Sequence, residues 1–327
     1  MRENITVFQT TRFLGDFLLS LALIKQCVEN GFETTLIMHS NFQEIGNLLP
    51  VRMVPVLKPG GRAGIKEVRD VISKIKPGAG LLAHRSLRSA ITAAAAGLNP
   101  RIGFADSNAR ALYTHKVKRP EGIHESQAFK NLIKPLGIQA ETGPEMWFPW
   151  KEQAEQSARK LRLPSHYAVI APGASWVVKQ WPVENFAQVG RWLEKQGITP
   201  VITGGPKDVF LGRKLAEMLG HSINLSGKTR VLEFMGVIAG AKLVVSGDSA
   251  PMHAAGCFNI PTVAIYGPTT KEMGFWPLSE KSEIVQIDVD CRPCSARGPR
   301  PCPKGHHRCM RELGPELVID AINRVMR

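Results

Sequence analysis

The sequence predicts an α/β fold in which two doubly wound parallel sheets form two domains. The chain has 327 residues, which is long for a single hydrophobic core. Short apolar runs alternate with helical patterns, as is typical of parallel sheets covered by helices on both faces. A proline- and tryptophan-containing stretch at 144–150 interrupts this alternation, which then starts again. We therefore predict domains at 1–160 and 161–327.

In the first half, the apolar run at 5–8 predicts the opening strand. From Asp16 the spacing becomes helical, and Gly31 is a plausible end of that helix. Its apolar face consists of Phe17, Leu21, Ile24 and Val28. Further strands are predicted at 34–38, 53–57, 80–83 and 102–104, and further helices at 42–49, 65–75 and 87–96.

The second half repeats the pattern. Strands are predicted at 167–171, 200–203, 223–225, 243–245 and 262–265, and helices at 152–161, 183–196, 209–219 and 231–239. The last helix, 315–326, begins with a proline, which suits the first helical position, and is expected to pack back on either domain. A cleft between two such domains is a favoured ligand site.

The composition predicts a globular protein with a basic surface. Hydrophobic residues make up 43% of the chain and charged residues 21%, which is ordinary for a soluble domain. Neither a spanning helix nor a signal peptide is expected, which favours a cytoplasmic location. The net charge of +14 fits a solvated surface, nucleic acid, an anionic membrane or an anionic substrate. Because the basic residues are dispersed and no RNA-binding aromatic signature occurs, nucleic acid ranks below the last two.

The most informative segment is 243–267, LVVSGDSAPMHAAGCFNIPTVAIYG. It predicts a strand, a polar loop, the start of a helix and a second strand. Ligands of parallel sheets lie at the carboxyl ends of strands, and anions bind at helix N-termini. Asp248 is therefore placed to accept from a sugar hydroxyl, and Ser249 to bind phosphate. His253 is either a ligand contact or a satisfied core histidine.

A second loop in the same half, at 172–182, follows a predicted strand. Gly173 permits close approach to the backbone, Ser175 offers a hydroxyl, and Lys179 offers a point charge suited to phosphate. The alternative is a surface loop before a helix capped at Pro182.

A third loop, Ser-Gly-Lys-Thr at 226–229, resembles a truncated phosphate loop but lacks its glycine spacing. The alternative is a helix N-cap at Thr229. Three such loops in strand order favour a nucleotide site.

The N-terminal counterpart is the loop at 10–16, between the first strand and the first helix. Its carboxylate, Asp16, is either a helix cap or a general base that takes a proton from an acceptor hydroxyl.

Taken together, these motifs resemble glycosyltransferase family nine, the bacterial ADP-heptose:lipopolysaccharide heptosyltransferases. The resemblance covers nearly the whole chain. It rests on LGD at 14–16, PGAS at 172–175, KQWP at 179–182, DSAPMH at 248–253 and GPT at 267–269. The cysteine-rich end, from 291 to 310, is most similar to the heptosyltransferase II type.

The resemblance implies a GT-B fold, with two Rossmann-like domains facing a central cleft. The N-terminal domain takes the acceptor and the C-terminal domain takes the nucleotide sugar. It further implies an inverting transfer of heptose from ADP-L-glycero-D-manno-heptose to the inner core of lipopolysaccharide, without a metal. The acceptor would be a phosphorylated lipid A-core at the inner face of the inner membrane, with the enzyme peripheral there and no nucleic-acid partner.

The resemblance also assigns roles to individual residues. Asp16 would be the general base and Asp248 the heptose contact, and Arg85 and Arg88 would meet anionic acceptor groups. The remaining donor residues would be Ala174, Ser175, Lys179, Thr229, Ser249, Ala250 and His253.

Two departures from the family pattern bear on the sugar. Ala250 stands where the family usually has glycine, which predicts a slightly different loop. The chain reads MGFWP at 273–277, where the family often has a further Gly-Pro. A different nucleotide sugar, a nucleotide-sugar epimerase and an inactive GT-B binding protein therefore remain as alternatives.

The cysteines fall into two groups. Cys27 and Cys257 lie in helical patterns and are expected to be packing residues. The other four match a structural zinc site in kind, with reduced thiols or redox-sensitive pairs as alternatives, and a cytosolic location argues against stable disulfides. These four are Cys291, Cys294, Cys302 and Cys309.

Overall fold

The protein divides into two compact units, Met1–Trp147 and Phe148–Arg327. The structure, a computed structural model, describes residues 3–56, 62–74, 78–294 and 301–327, without the side chains of 62–64. Residue 57 of one predicted strand and residue 75 of one predicted helix lie outside the described residues.

The N-terminal unit contains a parallel sheet whose strand order is β3-β2-β1-β4-β5-β6. The described strands are β1 (Asn4–Gln9), β2 (Glu33–His39), β3 (Arg52–Val56), β4 (Ala79–Leu82), β5 (Arg101–Phe104) and β6 (His115–Val117). The described helices are α1 (Leu14–Glu29), α2 (Gln43–Gly46), α3 (Arg62–Ile72), α4 (Leu87–Ala95) and α5 (Glu125–Lys130).

The C-terminal unit contains a second parallel sheet, of order β12-β11-β10-β7-β8-β9. Its described strands are β7 (Tyr167–Ala171), β8 (Thr199–Ile202), β9 (Ile223–Asn224), β10 (Leu243–Gly247), β11 (Thr262–Ile265) and β12 (Ser282–Val285). Its described helices are α6 (Lys151–Ala158), α7 (Val183–Lys195), α8 (Val209–Glu217), α9 (Val231–Ala239), α10 (Ala250–Cys257), α11 (Arg308–Arg311) and α12 (Pro315–Val325).

The two sheets have the same topology, which confirms the predicted fold class. In each, the first strand of the unit lies in the middle of the sheet and the chain then builds outward in both directions. The order reverses between β1 and β4 in one unit and between β7 and β10 in the other. Ligands of doubly wound sheets bind at such reversal points, beyond the carboxyl ends of the strands.

The second unit begins before the predicted boundary at 160/161, because α6 belongs to it. The helix packs against α9, and a side chain at Gly236 would collide with the backbone of Ala154. The ring of Phe148, at the start of the unit, packs edge-on against Phe258 at 5.4 Å.

The last helix, α12, packs within the C-terminal unit, where it contacts α7, β11 and β12. Its buried face carries Val318, Ile322 and Val325, which join the same apolar cluster as Phe186 of α7.

Most predicted elements are confirmed, and β7 and α9 span the predicted residues. Four short elements, β6, α5, β12 and α11, were not predicted. Their sequences do not carry a clear apolar period, because β6 and β12 are edge strands whose side chains are mostly exposed or half-buried. In α5, polar side chains such as Ser126 and Lys130 are buried.

No helix among the described residues is long and apolar enough to cross a membrane.

Candidate active site

In the C-terminal unit, two of the predicted site loops lie side by side at one edge of the sheet. Strands β7 and β10 are neighbours, with Ala171 paired to Ser246 at their carboxyl ends. The loops that follow these strands, at 172–182 and 248–249, therefore start side by side at the reversal point of the sheet.

The two loops meet in an ion pair. Lys179 ends a short 3-10 turn, and its Nζ donates to Oδ2 of Asp248 over 2.6 Å. The side chains are only 14% and 8% exposed, so water screens the pair weakly. The site therefore offers a cation suited to a diphosphate and a carboxylate suited to sugar hydroxyls.

Thr269, after β11, completes this group. Its Oγ1 donates to the same Oδ2 of Asp248 over 2.8 Å, and the side chain is buried. The GPT motif at 267–269 did not predict a role for Thr269. The hydroxyl at the end of the neighbouring strand was the only signal available.

Helix α10 begins beside the pair. Ser249 is its N-cap residue but makes no side-chain cap bond to the helix, and its Oγ instead donates to the carbonyl of Gly247 at 3.4 Å. The helix begins at Ala250, two residues after Asp248, and N–H groups at a helix N-terminus favour an anion, although Pro251 contributes none.

His253 lies on α10, with its side chain buried. Burial lowers its pKa to about 4, opposed by the charge of Asp248 and assisted by that of Lys179. At pH 7 the ring is therefore neutral, and it offers hydrogen bonds without a positive charge. Its ring lies edge-on to Phe275 at 6.4 Å.

Ala250 opens α10 in helical conformation. The positive-φ non-glycine residues of the described chain are Arg162, Asn259 and His307, so the backbone at Ala250 does not require glycine. Alanine therefore fits the first turn of this helix without strain, and the predicted difference of the loop from the family pattern stays a prediction.

Two other predicted donor residues, Ala174 and Ser175, lie on the same loop as Lys179, at 172–182. Ala174 is half-buried and Ser175 is exposed. Gly173 faces the carboxylate of Asp208, which a side chain at that position would strike. This close contact is a second reason for glycine at position 173, and no local sequence pattern reveals it.

Thr229 precedes α9 and does not cap it. The N-cap is Arg230, whose backbone N–H donates to Oε2 of Glu233 at 2.8 Å. The capping alternative for Thr229 is therefore wrong, and its partly exposed side chain stays a predicted adenosine contact.

In the N-terminal unit, Asp16 lies in the first turn of α1, after β1. The N-cap residue of the helix is Phe13, so Asp16 is not the N-cap itself. Thr11 supports the turn instead, since its Oγ1 accepts from the N–H of Phe13 at 3.1 Å and donates to Oδ2 of Asp16 at 3.4 Å. The carboxylate is partly exposed at the β1/β4 reversal point.

A polar group beside this turn was missed by the sequence analysis. Oγ1 of Thr10 lies 2.9 Å from Nδ1 of His84 and 2.9 Å from Oγ of Ser89. Burial, with a contribution from Arg85, lowers the pKa of His84 to about 4. These bonds join the loop after β1 to the segment after β4.

The two predicted acceptor arginines differ. The guanidinium of Arg85 pairs with Asp106 at 2.8 Å, whereas Arg88 is exposed on α4. An anionic ligand of Arg85 would share it with that carboxylate.

The C-terminal cysteines are free thiols. Sγ of Cys291 lies 3.9 Å from Nε2 of His306. Within the described residues, no three His, Cys, Asp or Glu side chains form a group that could hold a metal ion. The structural zinc site therefore stays a prediction without support from the geometry. Cys27 is buried in α1, as predicted.

Comparison with known proteins identifies the relatives of this chain. A model of glycosyltransferase family 9 (heptosyltransferase) matches residues 71–302. Lipooligosaccharide heptosyltransferase 2 of Campylobacter jejuni is 30% identical over 164 residues, which are 48% of this chain and 50% of that protein. Lipopolysaccharide heptosyltransferase 2 of Escherichia coli K12 is 28% identical over 163 residues, which are 48% and 46% of the two chains. The chain thus spans about half the length of these curated relatives.

The solved structure of E. coli ADP-heptose LPS heptosyltransferase II has a TM-score of 0.81 at 20% identity, over 99% of this chain and 98% of that chain. Together with the shared strand order of the two sheets, this likeness shows a GT-B fold of two Rossmann-like domains. The chain belongs to glycosyltransferase family 9, the heptosyltransferase family.

Proposed function

We propose that the protein is an inverting glycosyltransferase that transfers heptose from ADP-L-glycero-D-manno-heptose to the inner core of lipopolysaccharide. The carrying observation is the group of Lys179, Asp248 and Thr269 at the sheet reversal point, next to the N-terminus of α10. Membership of the heptosyltransferase family supports this assignment, as do the names of the relatives.

The C-terminal unit would hold the donor. Lys179 and the first N–H groups of α10 would bind the diphosphate, beside Ala174 and Ser175, and Asp248 would accept from heptose hydroxyls. His253, which is neutral at pH 7, would hydrogen-bond a phosphate or sugar oxygen. The remaining contacts would be Ser249 and Ala250 at the phosphates and Thr229 at the adenosine.

The N-terminal unit would supply the base. Asp16 would take the proton of an acceptor hydroxyl, whose oxygen attacks the anomeric carbon opposite the diphosphate. The new carbon–oxygen bond forms as the bond to the phosphate oxygen breaks, and ADP leaves with the electron pair. A single displacement inverts the anomeric centre. Lys179 and the helix N–H groups would stabilise the charge on the departing ADP, so the proposal needs no metal for this step.

The acceptor would be a phosphorylated lipid A-core met at the cytoplasmic membrane face, with the protein bound there peripherally. The net charge of +14 favours an anionic surface of this kind over a neutral one. Arg88, exposed on α4, and Arg85 would meet its anionic groups. Nucleic acid is not proposed as a partner.

The test is transfer by the purified protein with Asp16 replaced. Asp16→Asn is expected to lower the transfer rate about a hundredfold or more, the usual contribution of a general base, while ADP affinity stays within about twofold. Glu152→Gln, which changes a first-turn acid of α6, is the control and should transfer at the wild-type rate. Unchanged transfer by Asp16→Asn would remove Asp16 from the mechanism.

A donor screen tests the sugar. ADP-heptose should raise the melting temperature of the protein as its concentration increases, since a ligand that binds only the native state stabilises it. UDP- and GDP-sugars should leave the melting temperature unchanged. A shift with a UDP- or GDP-sugar instead would indicate another GT-B enzyme. Conversion of the sugar nucleotide without acceptor would indicate an epimerase, and binding without any reaction an inactive binding protein.

A further inference from the structure

We propose that the segment around Arg292 and His307 clamps the donor site, and that these two residues position the Lys179–Asp248 pair. We define the clamp as residues 291–294 and 306–313. The proposal rests on the proposed function, because it assigns a role toward the donor site named there. Neither residue is placed to touch the donor itself.

Arg292 holds the loop that carries Thr269. Its Nη2 donates to the carbonyl of Thr269 at 2.9 Å and to Oε1 of Gln286 at 2.7 Å, and its Nη1 donates to the carbonyl of Ile287 at 2.6 Å. Since the hydroxyl of Thr269 donates to Asp248, the guanidinium fixes one of the two donors on that carboxylate. A planar group with several fixed bonds is well suited to this task.

A backbone bond adds to this contact. The N–H of Cys294 donates to the carbonyl of Pro268 at 3.3 Å. The consecutive carbonyls of Pro268 and Thr269 therefore both accept hydrogen bonds from the clamp.

His307 holds the other loop. Its Nε2 lies 2.7 Å from the carbonyl of Val178, and because a carbonyl only accepts, the ring must donate. Val178 directly precedes Lys179 in the 3-10 turn. His307 has φ = 53°, a left-handed conformation that costs free energy in a non-glycine residue and persists only where its surroundings fix it.

The clamp is itself anchored in the core. Cys309, Met310 and Leu313 are buried, and the carbonyl of Leu313 accepts from Nε1 of Trp181 at 2.9 Å. A side chain at Gly267 would collide with Met310, so this loop lies directly against the clamp.

The two loops held by the clamp donate to the same carboxylate oxygen. Lys179 and Thr269 donate to Oδ2 of Asp248, one from a loop held by His307 and the other from a loop held by Arg292. A shift of either loop would lengthen one of these bonds. The clamp should therefore control donor affinity through the ion pair.

The first experiment measures ADP affinity by calorimetry. His307→Leu removes the bond to Val178 and is expected to weaken ADP binding about five- to tenfold, the effect of one lost hydrogen bond. His307→Gln keeps an N–H donor and should restore most of the affinity. His166→Leu, at an exposed histidine of the same unit, is the control.

The second experiment is a double-mutant cycle, which separates positioning from general stability. If His307 acts through Lys179, adding His307→Leu to Lys179→Met should weaken ADP binding by less than twofold more. Arg292→Met should likewise raise the KM for the nucleotide sugar several-fold, with the KM for the acceptor unchanged.

Additive effects in the cycle, or wild-type ADP affinity in folded His307→Leu and Arg292→Met, would overturn the clamp. Failure of the wild-type protein to bind ADP would instead overturn the proposed function.

Discussion

The ion pair between Lys179 and Asp248 gives the sharpest prediction, because its energetics and its proposed function can be measured separately. The two charged atoms are 2.6 Å apart, and their side chains are 14% and 8% exposed. Lys179→Met keeps most of the side-chain volume and removes the charge.

The expected loss of stability follows from burial. Removing one partner of a buried pair costs about 3–5 kcal/mol, because the remaining charge is left uncompensated. Asp248 retains the hydroxyl of Thr269, so we expect the lower end, about 3 kcal/mol. Combining Asp248→Asn with Lys179→Met removes the uncompensated charge and should recover part of the lost stability.

Lys214 and Glu184 provide the control. Their charged atoms are 2.7 Å apart, a similar distance, but the side chains are 46% and 53% exposed. Lys214→Met should therefore cost about 1 kcal/mol at most.

Two measurements check this reasoning. Urea unfolding, followed by tryptophan fluorescence, should separate Lys179→Met from Lys214→Met by about 2 kcal/mol. Calorimetry should show ADP binding weakened about ten- to a hundredfold by Lys179→Met, as expected for a lost charged hydrogen bond, with adenosine binding unchanged. Equal stability losses in the two variants would refute the argument from burial, and unchanged ADP affinity would remove Lys179 from the donor site.

Three further predictions concern pH, helix geometry and metal. Because the pKa of His253 is about 4 in the folded protein against an ordinary value of 6.5, its contribution to stability is present above pH 6.5 and is lost as the pH falls toward 4. At pH 4.5 the loss should be about 2 kcal/mol. His253→Gln should therefore lose less stability than wild type between pH 7 and 4.5, and an equal loss would contradict the burial of a neutral ring. Ala250→Gly should lower the free energy of unfolding by about 0.5 kcal/mol without tightening donor binding, and tighter binding would mean that the loop needs glycine after all. Transfer should persist in EDTA, while mass spectrometry of the purified protein for bound zinc tests the site predicted from the four C-terminal cysteines.

The helices and strands predicted best are those whose apolar pattern is complete within the element itself. Strand β7 is buried along its whole length and reads as an uninterrupted apolar run, as strands of parallel sheets do. Helix α9 begins and ends where its apolar period does. The edge strand β12 has mostly half-buried residues, so its sequence carries little signal.

In the candidate site, too, features with a local sequence pattern could be predicted and contacts between distant residues could not. The positions of Asp248, Ser249 and His253 could be predicted from sequence, since residues that directly follow a buried strand lie at the carboxyl edge of a doubly wound sheet. The roles of Thr11 and Thr269 could not be assigned, because a hydroxyl in a loop has many candidate partners. The N-cap residues of α1 and α9 could not be predicted for a related reason, since a shift of one to three residues in a helix start changes which residue is the N-cap.

The sequence by itself determined the alternation of strands and helices and the polar loops that follow β1, β7 and β10. These features depend on neighbours within a few residues. Only the tertiary structure decided that Asp248 binds both Lys179 and Thr269 and that His307 holds the carbonyl of Val178. Such contacts join residues far apart in the chain, and their distances are set by how the loops pack on the sheet, which no local pattern encodes.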